Sequence, residues 1–200
     1  MAKLSLNKSA LHRERQQLAL YQKVLPSLDL KRRQLMRETV VARHALHDLQ
    51  VAIEAYARKT AEKYPMLAHE KLGHEGVVRI AALSMGSENI VGVHLPLLEN
   101  VTFEAPVYPL LGRPAWTEML IARIEHAVKM ELEKEVLHHR ITLLERALIK
   151  VTQRVNLFEK VLIPTAKANI KKIVVVLDDM QRASVVRSKI AKAKHEGERG

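Results

Sequence analysis

Four histidines come closest to metal chemistry in this chain. His44 and His47 lie one helical turn apart, and His138 and His139 are adjacent. Two imidazoles at one-turn spacing can reach a single metal ion, but exposed histidines on a helix produce the same spacing far more often. No metal site is expected. The chain has no cysteine, so disulfides, thiolate metal sites and cysteine nucleophiles are excluded, and the composition suits a reducing compartment. The sequence contains no GxxxxGK[ST] and no GxGxxG, hence no glycine-rich cradle for phosphates. HExxH is absent, and the serines, histidines and acids occur without a nucleophile elbow. The expectation is a chain with no catalytic residue, no cofactor and no metal. Its remaining chemistry is charge and apolar surface, so what matters is how its elements position them.

Those elements are marked out by glycine. None occurs between Met1 and Leu72, and none between Ala115 and Glu196. Gly73, Gly76, Gly86, Gly92 and Gly112 all fall in the insert between these stretches, with four of the seven prolines. Glycine and proline are the residues that most disfavour helix interiors. The predicted architecture is mainly α: a long antiparallel two-helix coiled coil with a short β-hairpin and loop insert between the helices. The boundaries are an N-terminal helix over 1–72, the insert over 73–115, and a C-terminal helix with a basic tail over 116–200. A helix of about 70 residues spans about 105 Å, so the expected form is a rod. Such a rod has no concave pocket that excludes water.

The heptads support this. With Leu4, Leu11, Leu18, Leu25, Arg32, Thr39, Leu46 and Ile53 in one row, the other row is Asn7, Glu14, Tyr21, Leu28, Leu35, Ala42, Leu49 and Tyr56. A 3–4 spacing sustained this long signals a coiled coil. Asn7, Glu14, Arg32 and Thr39 interrupt the seam, and such polar positions fix register or face a third partner. The second helix repeats the pattern through Leu137, Ile141, Leu144, Leu148, Val151, Val155, Phe158 and Leu162, then Ala166, Ile170, Ile173, Leu177 and Met180. The step from Leu162 to Ala166 to Ile170 is four plus four, so the heptad slips there. Pro164 and Pro26 each remove a helix hydrogen bond, and antiparallel pairing would set them at similar heights, bending both helices together.

In the insert, Val77–Leu83 and Ile90–Leu95 read as strands. The intervening SMGSEN reads as their turn, because Ser, Gly and Asn favour turns. The charge is uneven. Residues 1–33 carry a net of +6 and residues 182–200 a net of +4, against a formal +11 for the whole chain, while 76–118 carries −2. Paired ends this basic suit docking to an acidic or polar surface. The pI near 9.9 also allows a nucleic-acid-binding arm, and a self-assembling scaffold or adaptor is a further alternative. Against nucleic acid, aromatics are only 4% of residues and the positive charge gathers at the ends, not along one face. No apolar run approaches the ~20 residues of a membrane span, and the first residues lack the pattern of a secretory signal.

Four blocks carry a family resemblance. They are Leu28-Asp29-Leu30-Lys31-Arg32-Arg33-Gln34-Leu35-Met36, Asn89-Ile90-Val91-Gly92-Val93-His94-Leu95-Pro96, Thr152-Gln153-Arg154-Val155-Asn156-Leu157-Phe158-Glu159 with Ile163-Pro164, and Arg187-Ser188-Lys189-Ile190-Ala191-Lys192. In this order they resemble the D subunit of the V-type (A-type) rotary ATPases, over nearly the whole chain. The Arg154-Val155-Asn156 block with Glu159 and Pro164 is the most specific. Val24-Leu25-Pro26-Ser27 departs from the family pattern. The insert differs from eukaryotic members, which implies a bacterial or archaeal type of complex.

The resemblance implies a central rotor shaft, not itself an enzyme, that couples ATP hydrolysis or synthesis to proton or sodium transport. The implied partners are the catalytic and non-catalytic A and B subunits of the hexamer, the small F subunit of the central stalk, and the C-subunit socket above the membrane ring. Nucleic acid and a membrane span are not implied. The implied location is cytoplasmic, peripheral to the inner face of the plasma membrane. Hexamer-facing or register positions implied on the first helix are Leu25, Leu28, Lys31, Arg32, Arg33 and Leu35. On the second helix they are Arg154, Val155, Asn156, Glu159, Pro164, Arg187, Lys189 and Lys192. Ile90, Gly92, Val93, Leu95 and Pro96 are the implied contacts of the stalk partner.

Overall fold

The computed structural model describes residues 5–65, 78–104 and 116–197. Gly73, Gly76, Gly112 and the first residue of the Val77–Leu83 run therefore lie outside the described residues. The element order is α1 (Lys8–Lys63), β1 (Ile80–Ile90), β2 (Val93–Phe103), α2 (Thr117–Leu157), a π-helical turn (Phe158–Leu162) and α3 (Ile163–Gly197). The fold is mainly helical with an antiparallel β-hairpin inserted between the helical segments, as the glycine pattern predicts. By their contacts the residues form two compact units, Met1–Arg32 with Lys150–Gly200, and Arg33–Ile149.

In the first unit the start of α1 runs antiparallel to α3 and the end of α2. The Tyr21 ring meets the Phe158 ring edge-on at 5.4 Å, and Asn169 Nδ2 donates to the Glu14 carboxylate at 3.4 Å. Ala10, Val151, Val155, Ala166 and Ile173 are buried here, Ile173 completely. In the second unit the rest of α1 runs antiparallel to α2. Arg43 pairs with Glu145 at 2.5 Å, and the Tyr56 hydroxyl donates to the Arg123 carbonyl at 3.3 Å. Leu35, Ala42, Tyr64, Leu120, Ile121, Ile141 and Leu144 form its core with Leu95 and Val101 of the hairpin. Every predicted seam position of α1 from Leu11 to Tyr56 is buried or half-buried. On α2 and α3 the same holds from Leu137 to Leu177, and Met180 is exposed.

Each polar interruption of the α1 seam has a partner. Asn7 is the N-cap: its Oδ1 accepts from the Ala10 N–H at 2.7 Å and its carbonyl from the Leu11 N–H at 3.0 Å, satisfying donors that a helix start otherwise orphans. Glu14 takes the Asn169 amide. Arg32 pairs with Asp29 one turn back at 2.5 Å. Thr39 is buried, and its hydroxyl donates to the Leu35 carbonyl at 2.8 Å, so the seam holds no orphaned hydroxyl there.

The two prolines behave differently. α1 continues through Pro26. Before Pro164 the helix widens into the π-turn Phe158–Leu162, where the Ile163 N–H bonds back to the Phe158 carbonyl, five residues away. A π-turn accommodates one residue more than an α-turn. The four-plus-four step places one extra residue at this point, and the stripe stays inward through it: Val155, Ala166 and Ile173 are all buried.

The hairpin corrects the predicted turn. Ile90 pairs with Val93, so the turn is Val91-Gly92, and Ser84–Asn89 lie inside β1. Both turn residues have positive φ, 54° and 76°, as a two-residue type I′ connection requires. Asn89 Oδ1 accepts from the Gly92 N–H at 2.9 Å and braces it. A turn at SMGSEN would forfeit most of the eleven-residue pairing on each strand. β1 tolerates those polar residues because nearly all of it is exposed.

Candidate interaction surfaces

Three surfaces stand out. The first is the hairpin, which α2 holds through one arginine. Arg140 donates to the Pro96 carbonyl at 3.1 Å and to the Glu88 carboxylate at 2.7 Å, so it grips both strands at once. Its side chain is 15% exposed, a setting in which a charged hydrogen bond is stronger than in water. Beside it, Leu49 of α1, Leu137 of α2 and Leu97 and Leu98 of β2 line a small cleft. Of the predicted partner contacts, Leu95 is 1% exposed and packs inside. Ile90, Val93 and Pro96 are half-buried and Gly92 is exposed.

The second surface is the end of α3. Lys8, Leu11 and Arg15 of α1 lie level with Val174, Leu177 and Gln181. Beyond Gln181 every side chain described, to Lys194, is exposed. Val185, Val186 and Ile190 are more than half exposed and alternate with Arg182, Arg187, Lys189, Lys192 and Lys194. The segment is apolar and basic at once, and it faces outward all round.

The remaining predicted positions divide. Leu35 and Val155 are buried seam residues. Leu25, Leu28, Lys31, Arg32 and Asn156 are half-buried, and Arg33, Arg154, Glu159, Pro164, Arg187, Lys189 and Lys192 are exposed. Leu20, Leu30, Met36, Val40, Val41 and Val51 on α1, and Ile149, Leu157, Val161 and Val175 on α2, the π-turn and α3, are large apolar side chains also facing outward.

The third surface is a groove of about 460 Å³ between the last turns of α1 and the first turns of α2. Arg123 lies in it against the rings of Tyr56 and Tyr64, and the Tyr56 ring also meets His126 edge-on at 4.9 Å. Sequence reasoning missed Arg123 and Arg140. The available signal was position: each immediately precedes an apolar helix residue, Ile124 and Ile141, and so flanks the buried stripe. What they reach is set by tertiary packing that no helix period encodes. Among the described residues no three His, Asp or Glu side chains converge as metal ligands, and no helix is long and apolar enough to cross a membrane.

Comparison with known proteins matches this architecture along its length. The family model for the D subunit of ATP synthase matches residues 10–193. The chain is similar to the V-type ATP synthase D subunit of Borreliella burgdorferi, at 35% identity covering 96% of this chain and 95% of that one. It is 33% identical to the V-type ATP synthase D subunit of Chlamydia trachomatis and 35% identical to that of Chlamydia muridarum, covering 96% of both chains in each case.

Proposed function

Because the chain belongs to the D-subunit family of the ATP synthases, as the non-catalytic central-stalk rotor subunit of a V/A-type ATPase, we propose that the end of α3 is the part that enters the hexamer of A and B subunits. The observation that carries this is the run of α3 beyond Gln181: apolar and basic residues held helical with every described side chain exposed. A helix end of that kind is stable when another surface buries its apolar side. Its lysines and arginines suit an acidic or polar sleeve. Lys31, Arg33, Arg154 and Glu159 are the further hexamer-facing or register positions in this reading, with Leu25, Leu28, Arg32, Asn156 and Pro164 beside them.

The hairpin turn, with Ile90, Gly92, Val93 and Pro96, is the contact of the small F subunit of the stalk. The paired end of α1 and start of α2 is the foot that rests in the C-subunit socket, at the inner face of the plasma membrane. Shape changes of the hexamer against this rotor become rotation, which the socket passes to the ion-carrying ring. Nothing favours the nucleic-acid or scaffold reading.

The test is truncation after Val185 in the reconstituted enzyme, with assembly measured at two salt concentrations and ions moved per ATP. The expected outcome is weaker hexamer assembly that is less salt-sensitive, because the screened charges are gone, together with ATPase poorly coupled to transport. Unchanged assembly, salt dependence and coupling would reject this orientation of the rotor.

A further inference from the structure

A helix that holds one residue too many in a turn holds slack. In the π-turn Phe158–Leu162 the Ile163 N–H bonds back to the Phe158 carbonyl, so each residue turns the chain less than it would in an α-turn. The spare residue is worth about 100° of helix rotation. None of the five is buried. Glu159, Lys160 and Val161 are exposed, and Phe158 and Leu162 are half-buried. The seam is thin here on both helices. From Ile141 to Val155, and again from Ala166 to Ile173, buried residues follow one another within about two turns, but between Val155 and Ala166 there is none for about three. On α1 no residue is buried between Ala10 and Leu35. The edge-on contact of Tyr21 with Phe158 spans the two helices at this level. Pro164 has no N–H, so the hydrogen-bond ladder lacks a donor directly after the turn.

Backbone and seam pull this turn in opposite senses. The π geometry is rare because an α-turn is the better one, so the backbone favours tightening. Tightening would rotate α3 and carry Ala166 and Ile173, both buried, out of the seam. Turning α3 clockwise, seen along the chain from α2, winds the π-turn towards α geometry and takes up the spare residue. Turning it the other way must open α-turns that have no slack. We infer that the π-turn is a one-way twist joint: it yields when α3 is wound relative to Lys150–Leu157 and resists when α3 is unwound, while α1 continues beside it as an unbroken helix. The inference rests on the reading above that torque enters at the end of α3.

The test applies torque in both senses to the assembled enzyme, between the immobilised hexamer and a bead on the ring, for wild type and for the deletion of Val161. In wild type the angular deflection is expected to be larger in the winding sense. Deletion of Val161 removes the spare residue, and this excess is expected to be lost while the unwinding deflection stays as it was. The supercoil of the shaft is common to both chains, so it cannot produce the difference. Hydrogen exchange on the whole free chain reads the same joint without load. Amides of 159–163 are expected to exchange faster than those of 144–155, and to slow in the deletion. If the deletion fails to assemble, the exchange decides: equal protection of the two stretches in wild type overturns the joint. Fast exchange with a winding excess that survives the deletion overturns it too. If neither sense of torque reaches the turn, so that both deflections are unmoved by the deletion, the proposal falls, and the truncation after Val185 tells whether the placement of α3 has fallen with it.

Discussion

Val91 is the one non-glycine residue with positive φ among those described, at 54°. For a β-branched side chain this conformation is an outlier, costing about 1–2 kcal/mol. The register of the hairpin enforces it, since shifting the turn by one residue would rotate Leu95 and Val101 out of the core. Val91→Asn should therefore stabilise the hairpin by about 1 kcal/mol, read as slower hydrogen exchange of the Leu95 amide. Unchanged or faster exchange would mean that Val91 is not strained. This residue also marks the limit of what the sequence reveals. Gly92 is visible as a turn former, yet Ser84–Asn89 offers more turn residues in a row. The choice between them is made by how much strand each leaves to pair and by which side chains each buries. Neither is a local property. Glu14 shows the same limit: its polarity is plain in the heptad, but its partner Asn169 lies 155 residues along the chain and comes only with the fold.

At the scale of elements, periodicity is strongly legible. The seam residues of both long helices are readable because a buried stripe demands regular spacing over many turns. The four-plus-four step is readable too, although not the device that absorbs it. If the π-turn houses an extra residue, removing one there should be mild. Deleting Val161, which is half exposed, is expected to shift the melting temperature by only a few degrees, on the order of 1 kcal/mol. Deleting Gln153 should cost several times as much, because it rotates Val151 out of phase with Val155, both buried. Equal losses in the two deletions, followed by thermal denaturation, would reject this account. The hairpin's attachment is the other element-scale test. Arg140→Ala should leave helical circular dichroism unchanged while exchange across β1 and β2 accelerates at least tenfold, from loss of two hydrogen bonds to a charged group. Charge reversal at both Arg140 and Glu88 should restore part of the protection.

For the molecule as a whole, the two strongly basic segments, 1–33 and 182–200, fall almost entirely within the unit formed by Met1–Arg32 and Lys150–Gly200. The charge imbalance is visible in the sequence, and the contacts gather it into one unit. The insert, mildly acidic by sequence, belongs to the other. Assembly at the basic unit should be the salt-sensitive step, since exposed charges are screened within about 8 Å at physiological ionic strength. Neutralising Arg187, Lys189 and Lys194 to Gln should reduce the change in hexamer affinity between low and high salt, while foot binding keeps its own dependence. A uniform loss against both partners, measured by titration against each separately, would contradict a division of labour between the units.

The exposed end of α3 also has a meaning for the life of the rotor before assembly. A helix end with little packing frays readily, and Arg182, Arg187, Lys189, Lys192 and Lys194 lie along it. An orphaned copy thus advertises its own incompleteness with an unfolding, apolar tail that proteases can seize. On the proposed placement in the hexamer, a copy seated in the enzyme hides it. Limited trypsin should clip the free chain first within 182–194 and spare that stretch in the complex. The same residues that fit the rotor to its place would then set how long an unplaced rotor survives, matching its supply to the number of enzymes that can use it.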